Sequence, residues 1–154
     1  MLNFKKNRPR GVVDTSVLVA GIAAFREPLS LSPVPSARLL RDWIENGTFI
    51  WLINEDIVDE YKAILARRGV RPSLIGAVIN LIRTQAEETP DISGSTISPD
   101  PGDEPFCTCA ETGNADFIVT LNPKDFPPHK LRAHVISPGD PIPTTARKRP
   151  RASS

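Results

Sequence analysis

The chain has 154 residues and a mass of 16.9 kDa, which by the usual scaling is one domain with a single sizeable core. Hydrophobic residues make up 40% and charged residues 24%, the balance of a folded, water-soluble chain rather than a disordered or membrane-embedded one. Nineteen Lys and Arg against eighteen Asp and Glu leave a net charge of +1, which excludes a globally basic nucleic-acid clamp. Any hold on a polyanion has to come from local charge or from a bound metal.

Residues 1–10 form a basic segment with Lys5, Lys6, Arg8 and Arg10, followed by the apolar run Gly11 to Phe25. That order mimics a secretory signal, but Asp14 inside so short a run is expensive in lipid, about 2.5–3.5 kcal/mol on insertion scales. Gly11-Val12-Val13 reads as a short buried strand, and Val17-Leu18-Val19-Ala20 continues into a core helix. Pro28 to Pro35 is a loop. Ser36 is expected to cap an amphipathic helix with Leu39, Leu40, Trp43 and Ile44 on one face, stopped by Asn46-Gly47. Phe49 to Ile53 is a strand, and Asn54 opens a helix carrying Ile57, Val58, Tyr61, Ile64 and Leu65. Another helix starts at Pro72-Ser73, and Pro90 to Pro101 is a turn-rich surface passage.

Asp103 to Thr112 predicts a helix ended by Gly113, Asp116 to Thr120 a strand, and Ala133 to Ile136 a last one. Strands alternating with helices imply an α/β fold with a central, mainly parallel sheet covered on both faces, over residues 11–140. The tail, residues 141–154, with Arg147-Lys148-Arg149-Pro150-Arg151, has no apolar pattern and is expected to be disordered, as a solvated terminus or a nonspecific RNA arm. Cys107 and Cys109 are too close together to staple the chain, so a reducing, cytoplasmic setting suits it. Two apart on a helix, they should point to opposite sides, one to the core and one nearer the surface. With His129 and His134 they make a poor zinc set. Trp43 and Trp51 fall inside apolar patterns and read as core rather than as base-stacking platforms.

Ligands of open parallel sheets collect outside the carboxyl ends of the strands. Asp14 lies at such an end, where it can cap the next helix or hold a ligand. Asp103 opens a helix after Pro99-Asp100-Pro101-Gly102, where capping and metal binding are compatible. Glu60 lies within the helix after the second strand, either on a solvated face or aimed at a cleft. Carboxylates about 5 Å apart repel by roughly 3 kcal/mol at an effective dielectric near 20. A cluster of them therefore calls for a cation such as Mg²⁺ or Mn²⁺, whose oxygen chemistry also suits phosphodiester hydrolysis.

In this order the residues resemble the PIN-domain family of metal-dependent ribonucleases, and in particular the toxins of bacterial toxin–antitoxin pairs. The resemblance is carried by Val12-Val13-Asp14-Thr15-Ser16-Val17-Leu18, by Asn54-Glu55-Asp56-Ile57-Val58-Asp59-Glu60-Tyr61, by Asp100-Pro101-Gly102-Asp103-Glu104, and by Ala115-Asp116-Phe117-Ile118-Val119-Thr120. It implies a three-layer α/β/α PIN-like fold and an Mg²⁺- or Mn²⁺-dependent endoribonuclease. It further implies an RNA substrate, a cognate antitoxin protein and a homodimer, with no membrane partner. Asp14 and Asp103 are expected to hold the metal, Glu60 to ligate it or orient its water, and Ser16 and Thr120 to hydrogen-bond around it.

The family's fourth acid is replaced here by Asn122, which can coordinate but brings no charge and no carboxylate base; Asp116 or Asp125 could compensate. Two other readings follow. A PIN-like module weakened at Asn122 would bind RNA or protein without cleaving. An aspartyl-phosphate hydrolase would also place Asp after a first strand, but it wants a second Asp where this chain has Ser16.

Overall fold

A computed structural model describes residues 8–23, 34–90 and 104–146. Five strands form one parallel sheet: β1 (Arg10–Val13), β2 (Ile50–Ile53), β3 (Glu87–Glu88), β4 (Phe117–Val119) and β5 (His134–Ile136), in the order β3-β2-β1-β4-β5. Five helices accompany it: α1 (Thr15–Ala23), α2 (Pro35–Asn46), α3 (Glu55–Arg67), α4 (Pro72–Gln85) and α5 (Glu104–Thr112). The result is the expected three-layer α/β/α arrangement. The first strand in sequence is the middle one in space, so the chain reverses direction across the sheet at β1, and a crevice opens at the strands' carboxyl ends there.

Local sequence explains most of the boundaries. Asn54 caps α3 by accepting the Ile57 N–H on its side chain at 2.8 Å. Gly47 ends α2 in the left-handed region, φ 56°, with its N–H on the Trp43 carbonyl at 2.9 Å. Ser36 does not cap α2, contrary to expectation. Pro35 occupies the first turn, Val34 stands at the cap without a side-chain bond, and Ser36 is buried; a proline with φ already fixed starts the helix one residue earlier.

The two faces of β2 show the layering. Trp51 turns toward α1, α2 and α4, and Leu52 toward α5. Trp43 and Trp51 meet edge-on with centroids 4.6 Å apart, and Phe49 meets Phe117 at 5.3 Å, so both tryptophans belong to the core. Cys107 and Cys109 are both fully buried, which corrects the expectation that one would lie nearer the surface. Helix α5 packs on β1, β2 and β4 and also against α3, so two sides of it are covered. Burial pushes the Cys109 thiol up to about 11, against the opposing effects of the Thr89 hydrogen bond and the Arg10 charge.

β3 is two glutamates paired to Leu52 and Ile53, a strand without apolar signal. At the other end of the chain Ile142 packs on the core, so ordered packing continues past Pro141; residues 147–154 lie outside the described residues. Among the described residues no helix is long and apolar enough to cross a membrane.

Candidate active site

The chain leaves β1 at Asp14, whose backbone N–H continues the ladder to the Val119 carbonyl at 2.9 Å while its own carbonyl accepts from Val17 at 3.0 Å. Backbone rather than side chain thus makes the start of α1. The carboxylate, only 6% exposed, is held by hydroxyls instead. Ser16 Oγ donates to Oδ2 at 2.6 Å and Thr120 Oγ1 donates to the same oxygen at 2.8 Å. Each hydroxyl is oriented in turn by a backbone amide, since Leu121 N–H donates to Ser16 Oγ at 3.1 Å and Asn122 N–H to Thr120 Oγ1 at 2.9 Å. Among the described residues Oδ1 receives no hydrogen bond. One carboxylate oxygen is therefore fixed by two hydroxyls.

Glu60 faces the same place from α3. Thr15 Oγ1 donates to its Oε2, so consecutive residues of the Asp14-Thr15-Ser16 turn serve two different carboxylates. Tyr61, the next residue, is fully buried, donates to the Val13 carbonyl and accepts from Trp51 Nε1 at 3.3 Å. This clamps α3 to the end of β1 and sets the approach of Glu60 to Asp14. Burial pushes the Tyr61 phenol well above its ordinary value, so it stays a hydrogen-bond donor throughout the neutral range.

Asp14, Thr15, Ser16, Glu60 and Asn122 line one open cleft of about 520 Å³, with Val19 and Ala20 of α1, Ile64 of α3 and Arg68 at the C-cap of α3. Arg68 brings a guanidinium to an otherwise acidic cleft and was not anticipated. Its signal was present in the spacing Glu60, Ile64, Arg68, which repeats every four residues and keeps all three on one helical face.

Asp103 lies outside the described residues. The chain resumes beside it at Glu104, where Asn54 Nδ2 donates to the Pro105 carbonyl at 3.1 Å and ties the first turn of α5 to the start of α3. Among the described residues no three His, Cys, Asp or Glu side chains converge as a metal centre.

Asp116 is not brought to the cleft. It stands before β4, at the opposite end of the sheet, where its Oδ2 accepts the Arg10 N–H at 2.8 Å. A carboxylate that precedes a parallel strand lies on the wrong edge for a ligand site, so Asp116 cannot stand in for a fourth acid. Asp125 is exposed in a short 3-10 turn, Pro123–Asp125, and does not line the cleft either. Asn122 does line it.

A parallel α/β sheet whose central strand ends in a buried carboxylate, with a second carboxylate across a cleft, presents hard oxygen donors to a ligand there. The sequence model of the PIN domain matches residues 10–124, three quarters of the chain including Asp14, Glu60 and Asp103, and the protein belongs to the PIN-domain family. PIN domains are generally nucleases that use divalent metals. No curated protein and no solved structure gives a significant match.

Proposed function

We propose that the protein is a metal-dependent endoribonuclease that hydrolyses RNA phosphodiesters, acting as the toxin of a toxin–antitoxin pair in the cytoplasm. The observation that carries the proposal is Asp14. Its buried carboxylate is gripped on one oxygen by Ser16 and Thr120, and it shares a cleft with Glu60.

The donors suit Mg²⁺ or Mn²⁺ rather than zinc: Asp14 and Glu60 from the described cleft, Asp103 as the third acid, and no thiol or imidazole. When bound, such an ion neutralises phosphate charge and lowers the pKa of a ligated water. The chain's own residues do the rest. Ser16 and Thr120 keep Asp14 in one rotamer, Thr15 holds Glu60 in place, and Arg68 attracts and orients the RNA phosphate. Asn122 supplies a neutral amide where many relatives have an acid, which lowers the negative charge the phosphate meets.

The antitoxin and homodimer belong to the same proposal. An apolar groove of about 160 Å³ bounded by Leu18, Ile22, Leu40, Trp43, Ile44 and Leu81 supports a protein partner, and Ile44 is 44% exposed there.

The test is RNA cleavage by Asp14→Asn, Glu60→Gln and Asp103→Asn, together with the rise in melting temperature on adding Mn²⁺. Loss of both in all three variants is expected. A Mn²⁺-independent melting curve in the parent, with RNA bound but uncut, would instead support the module that binds without cleaving, which Asn122 favours.

A further inference from the structure

The charge along α3 and α4 is divided. The start of α3 carries Glu55, Asp56, Asp59 and Glu60, whereas the span from Tyr61 to Ala86 contains five cations, Lys62, Arg67, Arg68, Arg71 and Arg83, and no carboxylate. Arg83 is engaged with Glu55, to which it donates from both terminal nitrogens at 3.0 and 3.2 Å. Arg67, Arg68 and Arg71 are exposed and make no ion pair among the described residues.

The corner between α3 and α4 brings these three arginines together beside the cleft. Arg68 N–H donates to the Ile64 carbonyl at 2.9 Å and closes α3. Gly69 then turns the chain in the left-handed region, φ 81°, and Val70 packs on the core, with its N–H on the Leu65 carbonyl at 3.0 Å. Arg71 follows at once, so the Cα atoms of Arg68 and Arg71 are at most about 11 Å apart. Arg68 also lines the cleft of Asp14 and Glu60, which makes the corner continuous with it. Two helical turns, about 12 Å along the axis, separate Arg68 from Glu60.

Helix electrostatics accounts for only part of this placement. Arg67 in the last turn of α3 complements the negative end of the helix dipole. Arg71 does the opposite, because it stands at the N-cap of α4, makes no side-chain cap bond there, and sets a cation against the positive end of that helix. An exposed, unpaired charge held against the preference of its own helix calls for an anion from outside.

We propose that Arg67, Arg68 and Arg71 form a phosphate-binding corner over which a single RNA strand leaves the cleft, so that nucleotides flanking the scissile step are held as well as the step itself. The proposal rests on the RNA-cleaving reading for the identity of the polyanion. RNA is favoured over an acidic protein because Arg68 belongs to the cleft itself. In addition Val70, the one branched aliphatic residue between Arg67 and Ser73, packs on the core and leaves no apolar anchor for a protein interface. The planar fork of arginine matches phosphate oxygens.

The experiment measures binding of a fluorescein-labelled single-stranded RNA of about 20 nucleotides by anisotropy, in EDTA, between about 50 and 200 mM KCl. The parent is compared with Arg67→Gln/Arg71→Gln and with a control of equal charge loss, Arg38→Gln/Arg132→Gln, on α2 and beside Asp116. Removing two phosphate contacts to a single strand should make the slope of log K against log salt shallower by about 1.4 and weaken binding about tenfold near 100 mM KCl. The control should stay within about twofold of the parent. Arg67→Lys/Arg71→Lys, which keeps the charge, should recover most of the slope. Arg71→Gln alone relieves the dipole of α4, so it should melt no lower than the parent and still bind RNA more weakly, which separates binding from any loss of stability in α3.

Equal affinity and slope in the parent and the double Gln variant, or an equal loss in the control, would overturn the corner. Tighter binding of a polyglutamate chain than of RNA would reassign it to an acidic protein and overturn the proposal as well. Cleavage with Mn²⁺ distinguishes this failure from that of the nuclease reading. A parent that cuts RNA while the double Gln variant binds it unchanged loses the corner and keeps the nuclease; a parent that binds through the corner but never cuts keeps the corner and loses the nuclease.

Discussion

Thr120→Val isolates one hydroxyl of the site without changing the shape of the side chain. Thr120 is fully buried directly after β4, and its Oγ1 donates to Asp14 Oδ2 at 2.8 Å while accepting the Asn122 N–H at 2.9 Å. A hydrogen bond to a charged, buried acceptor contributes about 1.5–3 kcal/mol. The Asn122 amide is near the surface, where water can replace its partner, so it adds little. The methyl that replaces the hydroxyl is buried favourably and offsets up to about 0.8 kcal/mol. The net loss is about 1–2 kcal/mol, which for a chain of this size lowers the melting temperature by roughly 2–8 °C.

Asp14 also regains freedom about its side-chain torsions, and about tenfold lower RNA cleavage is expected at limiting Mn²⁺. Thr120→Ser keeps the hydroxyl and loses the methyl, so it should cost about 1 kcal/mol of stability yet cleave like the parent. Thermal melts by circular dichroism and a gel cleavage assay report the two quantities separately. Valine cleaving as well as serine would refute the reasoning that the hydroxyl positions Asp14.

Three further outcomes follow from the same structure. A Cβ at Gly11 would lie 2.1 Å from the tip of the Phe117 ring, so Gly11→Ala should destabilise by at least about 2 kcal/mol. Phe117→Leu should restore part of that loss in the double variant, and independent, additive effects in urea unfolding would contradict the contact. Burial pushes Cys109 from its ordinary 9.0 up to about 11, so between those values the unfolded chain releases a proton that the folded chain keeps. The stability this thiol contributes is complete below pH 9 and falls by about 2–3 kcal/mol as pH rises to 11; Tyr61, raised by burial as well, acts in the same sense. A urea midpoint that falls as steeply between pH 8.5 and 10.5 in Cys109→Ala as in the parent would rule that thiol out. Arg68→Ala, at an exposed position in the cleft, should raise KM for RNA about tenfold with kcat and melting temperature unchanged, and an unaltered KM would remove it from phosphate binding.

Most of the scaffold was legible because its signals are local. Asn54 before an acidic turn, Pro72 at a helix start and Gly47 after Asn46 each determine a boundary through backbone chemistry that needs no neighbour. β3 was not legible, since Glu87 and Glu88 form a strand only because β2 offers an open edge and Arg10 reaches Glu87. The two cysteines were misjudged for a similar reason: periodicity describes a helix with one covered side, and α5 has two. At the site, Asp14 and Glu60 were readable from their order along the chain, whereas Thr15 as the partner of Glu60 needed three-dimensional contact.

Asp116 was readable and misread. It precedes its apolar run where Asp14 follows one, and in a parallel sheet that difference places the two at opposite edges.

Two requirements conflict in a chain of nearly zero net charge. A cleft that holds carboxylates for a cation must be negative, and a protein that retains RNA must present positive charge to many phosphates. Placed side by side, the two sets would pair with each other, as Arg10 does with Glu87 and Arg83 with Glu55, and neither would be available. At the cleft, Asp14 is kept from such a partner by being bonded to neutral hydroxyls, which stabilise the charge without cancelling it. Adding four cations at the rim of the cleft, as Val19→Lys, Ala20→Lys, Ile64→Lys and Leu121→Lys, should therefore weaken the Mn²⁺-induced rise in melting temperature even as RNA binding in EDTA improves. An undiminished Mn²⁺ effect would mean that the carboxylates of the cleft do not depend on being kept from cationic partners.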